Sequence, residues 1–103
     1  MHKEIVDFIN NFKKMDKNSI EDIFLNGNCY WFAQILMSRF SSYNPELYYL
    51  PIDCHFVTKI CNKYYDISGE VIVSTVIESW DDLKLNEPNL ADRVYRNCAL
   101  FID

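Results

Sequence analysis

A chain of 103 residues, half of them hydrophobic and 16% aromatic, carries enough apolar material for one compact core but not for two. Its net charge of -5 and isoelectric point near 4.9, with lysines and arginines that form no cluster, argue against nucleic acid as a ligand. No segment nears the roughly 18 apolar residues of a membrane span, and Met1-His2-Lys3-Glu4 lacks the apolar run of a secretory leader, so the sequence reads as a single cytoplasmic domain over 1–103 with no membrane partner.

Ile5, Phe8, Ile9 and Phe12 fall at i, i+3, i+4 and i+7, opposite Lys3, Glu4, Asp7, Lys13 and Lys14, which predicts an amphipathic helix over 3–15. Asp16-Lys17-Asn18 interrupts the stripe, and Asn18 with Glu21 predicts a capped short helix through Phe24, ended by Gly27. From Tyr30 to Phe40 apolar residues cover most of the helical circumference, so this helix is expected at the centre, packed on several sides. Pro45 and Pro51 bracket a short aromatic strand over 47–50, expected at a sheet edge. Residues 54–60 and 63–67 read as a hairpin around Cys61-Asn62.

After the Ser68-Gly69 turn, 70–73 is expected to continue the sheet, and Thr75 with Glu78 to start a helix leading into Trp80 and Leu83. A loop over 86–89 then precedes a helix to Arg96 capped by Asn89 and Asp92, and 98–102 is expected as a buried closing strand. Helices followed by antiparallel strands make an α+β arrangement, with N-terminal helices packed on a small sheet.

The four cysteines, Cys29, Cys54, Cys61 and Cys98, are read as thiols, because a chain with this much core needs no disulfide framework in a reducing compartment. Cys54 and Cys98 lie in apolar contexts that predict core positions, and Cys61 lies in the hairpin turn, where exposure is expected. Cys29 differs: it follows the Gly27 turn and opens the apolar helix, where unpaired amides and the helix dipole favour thiolate over thiol. The spacings of Cys54, His55, Cys61 and Cys98 match no metal knuckle, and neither a metal nor any other cofactor is expected.

A cysteine nucleophile needs a base within hydrogen-bond reach and a third group to orient that base. His55 and Asp66 answer to this, since the only other histidine, His2, is next to the N-terminus. If Cys61-Asn62 is a two-residue loop, Ile60 pairs with Lys63 and Val57 with Asp66. His55 then becomes the diagonal neighbour of Asp66 on one face, roughly 7 to 8 Å away at Cα. The other face carries Phe56, Thr58, Ile60, Tyr65 and Ile67 and is the natural packing surface.

Gly27-Asn28-Cys29-Tyr30-Trp31-Phe32-Ala33 resembles the nucleophile segment of papain-like cysteine peptidases: a glycine, one residue, the cysteine, then aromatics opening a central helix. The stretch from His55 to Asp66 is similar to the histidine hairpin of compact papain-like proteins, including bacterial cell-wall endopeptidases and transglutaminase-like domains. The resemblance implies a papain-like cysteine-hydrolase core, with Cys29 as nucleophile, His55 as base and Asp66 as orienter. The expected activity is cysteine-dependent hydrolysis or acyl transfer at a peptide or amide carbonyl, with a peptide or protein as substrate. The backbone N–H of Cys29 is one candidate oxyanion donor, with the side chain of Asn26 or Asn28 as the second.

A second reading stays open beside this one. The small size, the acidic balance and the lack of a glutamine upstream of Cys29 also suit a non-catalytic interaction or inhibitor module built on the same scaffold.

Overall fold

The computed structural model describes residues 2–14, 29–52, 54–74 and 76–98 and arranges them as four α-helices and a five-stranded antiparallel sheet. Helix α1 (His2–Lys13) buries Ile5 and Ile9 completely, and its i, i+4 pair Phe8 and Phe12 lies half-buried beside them. This stripe packs on Phe32, Leu36 and Phe40, and on Ile60, Tyr65 and Ile67 from the sheet. Helix α2 (Cys29–Arg39) is central, as its nearly all-round hydrophobicity requires: Phe32 and Leu36 serve the cluster with α1, while Cys29 and Ala33 serve a second cluster. After a 3₁₀ turn (Ser41–Tyr43) the chain enters the sheet through Asn44, which adopts the left-handed conformation.

The strands are β1 (Glu46–Leu50), β2 (His55–Ile60), β3 (Lys63–Asp66), β4 (Gly69–Val71) and β5 (Glu78–Ser79), in spatial order β4-β3-β2-β1-β5. The predicted hairpin is present, with Ile60 opposite Lys63, Lys59 opposite Tyr64 and Thr58 opposite Tyr65. Cys61 and Asn62 have φ of 51° and 70°, the twin left-handed conformations of a two-residue turn that matches strand twist. A second tight turn, Ile67-Ser68, pairs Asp66 with Gly69, whose φ of +114° suits a residue without Cβ.

Strand β1 does not lie at the edge. Pro45 and Pro51 fall just outside the strand, so its amides are free to pair with β2 on one side and β5 on the other. The edges are instead the three-residue β4 and the two-residue β5.

The face bearing Phe56, Thr58 and Ile60 is fully buried. Thr58 Oγ1 donates to the Ala33 carbonyl at 3.1 Å, which satisfies a buried hydroxyl and ties α2 to the sheet. Phe56 packs edge-on against Tyr30 and Trp80, with both ring centroids 5.1 Å away.

The C-terminal part differs from the sequence reading at its boundaries. Glu78 belongs to β5, and helix α3 (Trp80–Asn86) is capped by Ser79, whose hydroxyl accepts from the Asp82 N–H at 3.4 Å. Strand β4 stops at Val71. The expected loop over 86–89 shrinks to Glu87, because Pro88 opens helix α4 (Pro88–Cys98) at a position that needs no N–H donor. Cys98 ends this helix rather than starting a strand, and Ala91, Val94 and Tyr95 pack the helix against the core. The predicted helix over 18–24, its Gly27 stop, Thr75 and residues 99–102 lie outside the described residues. Among the described residues no helix is long and apolar enough to cross a membrane.

Candidate active site

Cys29 is the first residue of α2, so its thiol sits at the end of the helix where amides point outward without intrahelical partners. Burial, which leaves the residue 6% exposed, works to raise its pKa. The hydrogen bond from the His55 side chain, the backbone N–H of Phe56, the charge of His55 and the backbone N–H of Tyr30 work the other way, and the net result is a thiol held below its ordinary value.

His55 opens β2, directly after Cys54, which is left-handed at φ 49°. Its Nε2 lies 2.8 Å from Asp66 Oδ2, so Nδ1 is the ring nitrogen left to serve Cys29. Burial disfavours the imidazolium, but the hydrogen bonds to Asp66 and Cys29 and the two negative charges outweigh it and raise the pKa from 6.5 to about 9.

Asp66 closes β3 with its side chain 10% exposed. Against the opposing effect of burial, His55 and Ser68 hold this carboxyl below the usual carboxylate range. The three side chains therefore stand in series, Cys29 acting on His55 and His55 Nε2 lying 2.8 Å from Asp66 Oδ2.

Cys29, His55 and Asp66 thus lie together, and the His55–Asp66 pair is the one the hairpin predicts. The hairpin register, extended one pair beyond Thr58 and Tyr65, sets Val57 opposite Asp66 and makes His55 its diagonal neighbour. Asn26 and Asn28, the candidate oxyanion side chains, lie outside the described residues. Cys54 is exposed, contrary to the expected core position, because its left-handed turn precedes the strand and aims the thiol at the Pro51 carbonyl, 3.8 Å away. Cys61 is exposed in the turn, and Cys29, Cys54 and Cys61 are free thiols.

Sequence reasoning missed Ser68. Its N–H at 2.7 Å and its hydroxyl at 2.5 Å both donate to Asp66 Oδ1, leaving Oδ2 for His55. The signal was the Asp-Ile-Ser turn itself, since an aspartate accepting from the amide two residues on is ordinary turn chemistry. Here that turn aims the carboxylate.

Fold and site together define a small α+β domain with a thiol, an imidazole and a carboxylate in series on a helix start and a hairpin. Over residues 5–97 the chain matches the family model described as Phage YunG-like protein, and it belongs to that family. No curated protein and no solved structure matches it. The family match overturns the assignment to the papain-like peptidases and to their cell-wall-endopeptidase-like and transglutaminase-like branches. The motifs behind that assignment were short, and a cysteine at a helix start facing a histidine on a strand is what thiolate stabilisation demands of any scaffold.

Proposed function

We propose that this protein is a cysteine-dependent hydrolase or acyl transferase acting on a peptide or amide carbonyl. The observation that carries the reading is the grouping of Cys29 at the start of α2 with His55, whose Nε2 lies 2.8 Å from Asp66 Oδ2, and it is supported by a thiol held low and an imidazole held high. Perturbation of this kind, produced by specific hydrogen-bond and charge partners against the opposing effect of burial, is what a nucleophile with its proton donor requires.

The Cys29 thiolate attacks the carbonyl carbon, a C–S bond forms, and the carbonyl π pair moves to oxygen, where the Cys29 backbone N–H is placed to donate. The His55 Nδ1 proton passes to the departing amine as the C–N bond breaks, leaving a thioester and a neutral imidazole. Water, or an acceptor amine in the transfer reaction, then gives its proton to Nδ1 while attacking the thioester, and the sulfur leaves as thiolate beside the restored imidazolium. Asp66, which stays ionised, keeps the second proton on Nε2 throughout.

One observation favours the second reading, a non-catalytic interaction module: the thiol is only 6% exposed. Site-resolved iodoacetamide labelling across pH separates the two. The reaction at Cys29 is expected to switch on below the pH at which an ordinary thiol, of pKa about 8.5, ionises, and His55→Ala is expected to move the step upward. A Cys29 that reacts like an ordinary thiol removes the support for catalysis.

A further inference from the structure

Between α2, α3 and α4 lies a cavity of about 330 Å³, whose walls include Tyr30, Trp80, Ala91 and Tyr95, with Lys84 and Asp92 among its polar lining. Three aromatic side chains meet there at steep angles. Tyr30 stands 5.3 Å from Tyr95 at 84° and 6.2 Å from Trp80 at 69°, ring centroid to ring centroid. Walls of this kind present ring faces and edges together to another flat apolar group.

Sequence and packing tie the cavity to the site. Tyr30 directly follows Cys29 on α2, and Trp80 and Ala91 share the apolar cluster that contains Cys29. Phe56, whose N–H donates to the Cys29 sulfur, stacks edge-on against Trp80. Such a volume sits at the small end of ligand pockets, the size for one side chain rather than for a cofactor or an extended chain.

The polar groups at the cavity do not favour an anionic guest, since Asp92 adds a carboxylate to the lining. Lys84 is already drawn to Asp81 at 3.5 Å, with its ammonium 5.9 Å from the Trp80 ring centroid. Burial and the neighbouring Tyr95 hold Tyr30 above the usual phenol value, so its hydroxyl stays neutral.

From this we infer that the Tyr30–Trp80–Tyr95 cavity is the substrate side-chain subsite, and that the group acylated onto Cys29, or the group leaving it, carries an aromatic side chain. The inference rests on the proposed thiol chemistry, and it adds the substrate class.

The test compares two alkylating agents, iodoacetamide and N-benzyl iodoacetamide, on the intact protein with site-resolved mass spectrometry. The same two rates at exposed Cys54 and Cys61 correct for the intrinsic reactivity of the reagents. At Cys29 the benzyl reagent is expected to gain at least about tenfold, the discrimination a single well-buried apolar group supplies, and to saturate with concentration. A reagent with a carboxyethyl tail is expected to show no gain. Ala91→Leu, which fills the slot, and Tyr95→Ala, which removes a wall, are each expected to collapse the benzyl-to-plain rate ratio toward one, with folding checked by circular dichroism of the aromatic cluster.

A ratio near one in the unsubstituted protein overturns the subsite, as does an equal gain from the carboxyethyl reagent or a ratio that survives both substitutions. The ratio can be read whatever the absolute rate at Cys29. A slow plain reaction therefore counts against the nucleophile, and a flat ratio counts against the subsite.

Discussion

Asp66→Asn keeps the shape of the side chain, removes its charge, and tests the relay at its buried end. The pKa of His55 stands at about 9 against 6.5 for a free histidine. At about 1.4 kcal/mol per unit this corresponds to about 3 kcal/mol of preference for the imidazolium. After burial, which opposes the rise, the hydrogen bond to Asp66 is the first of the causes that raise it, followed by that to Cys29. Loss of the carboxylate is therefore expected to lower the His55 value by roughly one to two units. The thiol follows in the opposite direction, because part of its depression comes from the His55 charge.

The stability consequence has a sign at each end of the pH scale. The contribution of His55, whose folded pKa is raised, is fully present below 6.5 and is lost as pH climbs through about 9. That of Asp66, whose folded pKa is depressed, is present above 3.8 and is lost as pH falls through the lower folded value. The difference in unfolding free energy between the parent and Asp66→Asn is expected to form a plateau of about 2–3 kcal/mol between these limits, the scale of a hydrogen bond to a charged group that is largely out of water. Urea denaturation at several pH values measures the plateau, and NMR titration of the His55 ring measures the pKa. A His55 that titrates near 6.5 in the parent, or one that titrates identically in the variant, refutes the reasoning.

Three further outcomes follow from the same geometry. Turnover of any amide substrate is expected to fall on the alkaline side with a limb near pH 9, where His55 loses the proton it must give to the leaving amine, and a flat alkaline profile would exclude His55 as the donor. Ser68→Ala removes the hydroxyl donor to Asp66 but keeps the amide, so it is expected to cost about 1 kcal/mol of stability and to lower the His55 pKa by less than Asp66→Asn does; Ser68→Thr is expected to restore the His55 titration, whereas a merely structural Ser68 would leave that titration unmoved throughout. Thr58→Val deletes the hydroxyl bond to the Ala33 carbonyl, and a loss of about 1 kcal/mol by denaturant titration is expected, with no loss if α2 is seated on the sheet by apolar packing alone.

What was legible in the sequence was local. The 3.6-residue stripe of Ile5 and Ile9 specified α1, and the nearly uniform hydrophobicity of 30–40 specified a central helix, because each pattern leaves one way to bury its apolar face. The two-residue turn at Cys61-Asn62 specified the hairpin register, and through the two-residue period of a strand that register put His55 and Asp66 on one face. Tertiary structure decided what depends on contacts between distant segments. That α2 presents Cys29 to His55, 26 positions later in the chain, follows from seating the helix on the sheet through Phe56 and Thr58, and no spacing in the sequence encodes it. The interior position of β1 was decided by β5 pairing from 31 positions away, Tyr48 with Ser79, although the flanking prolines had suggested an edge. The exposure of Cys54 and the second grip of Ser68 on Asp66 came from single backbone conformations, a left-handed residue and a tight turn, in which an apolar neighbourhood in sequence says nothing about where one side chain is aimed.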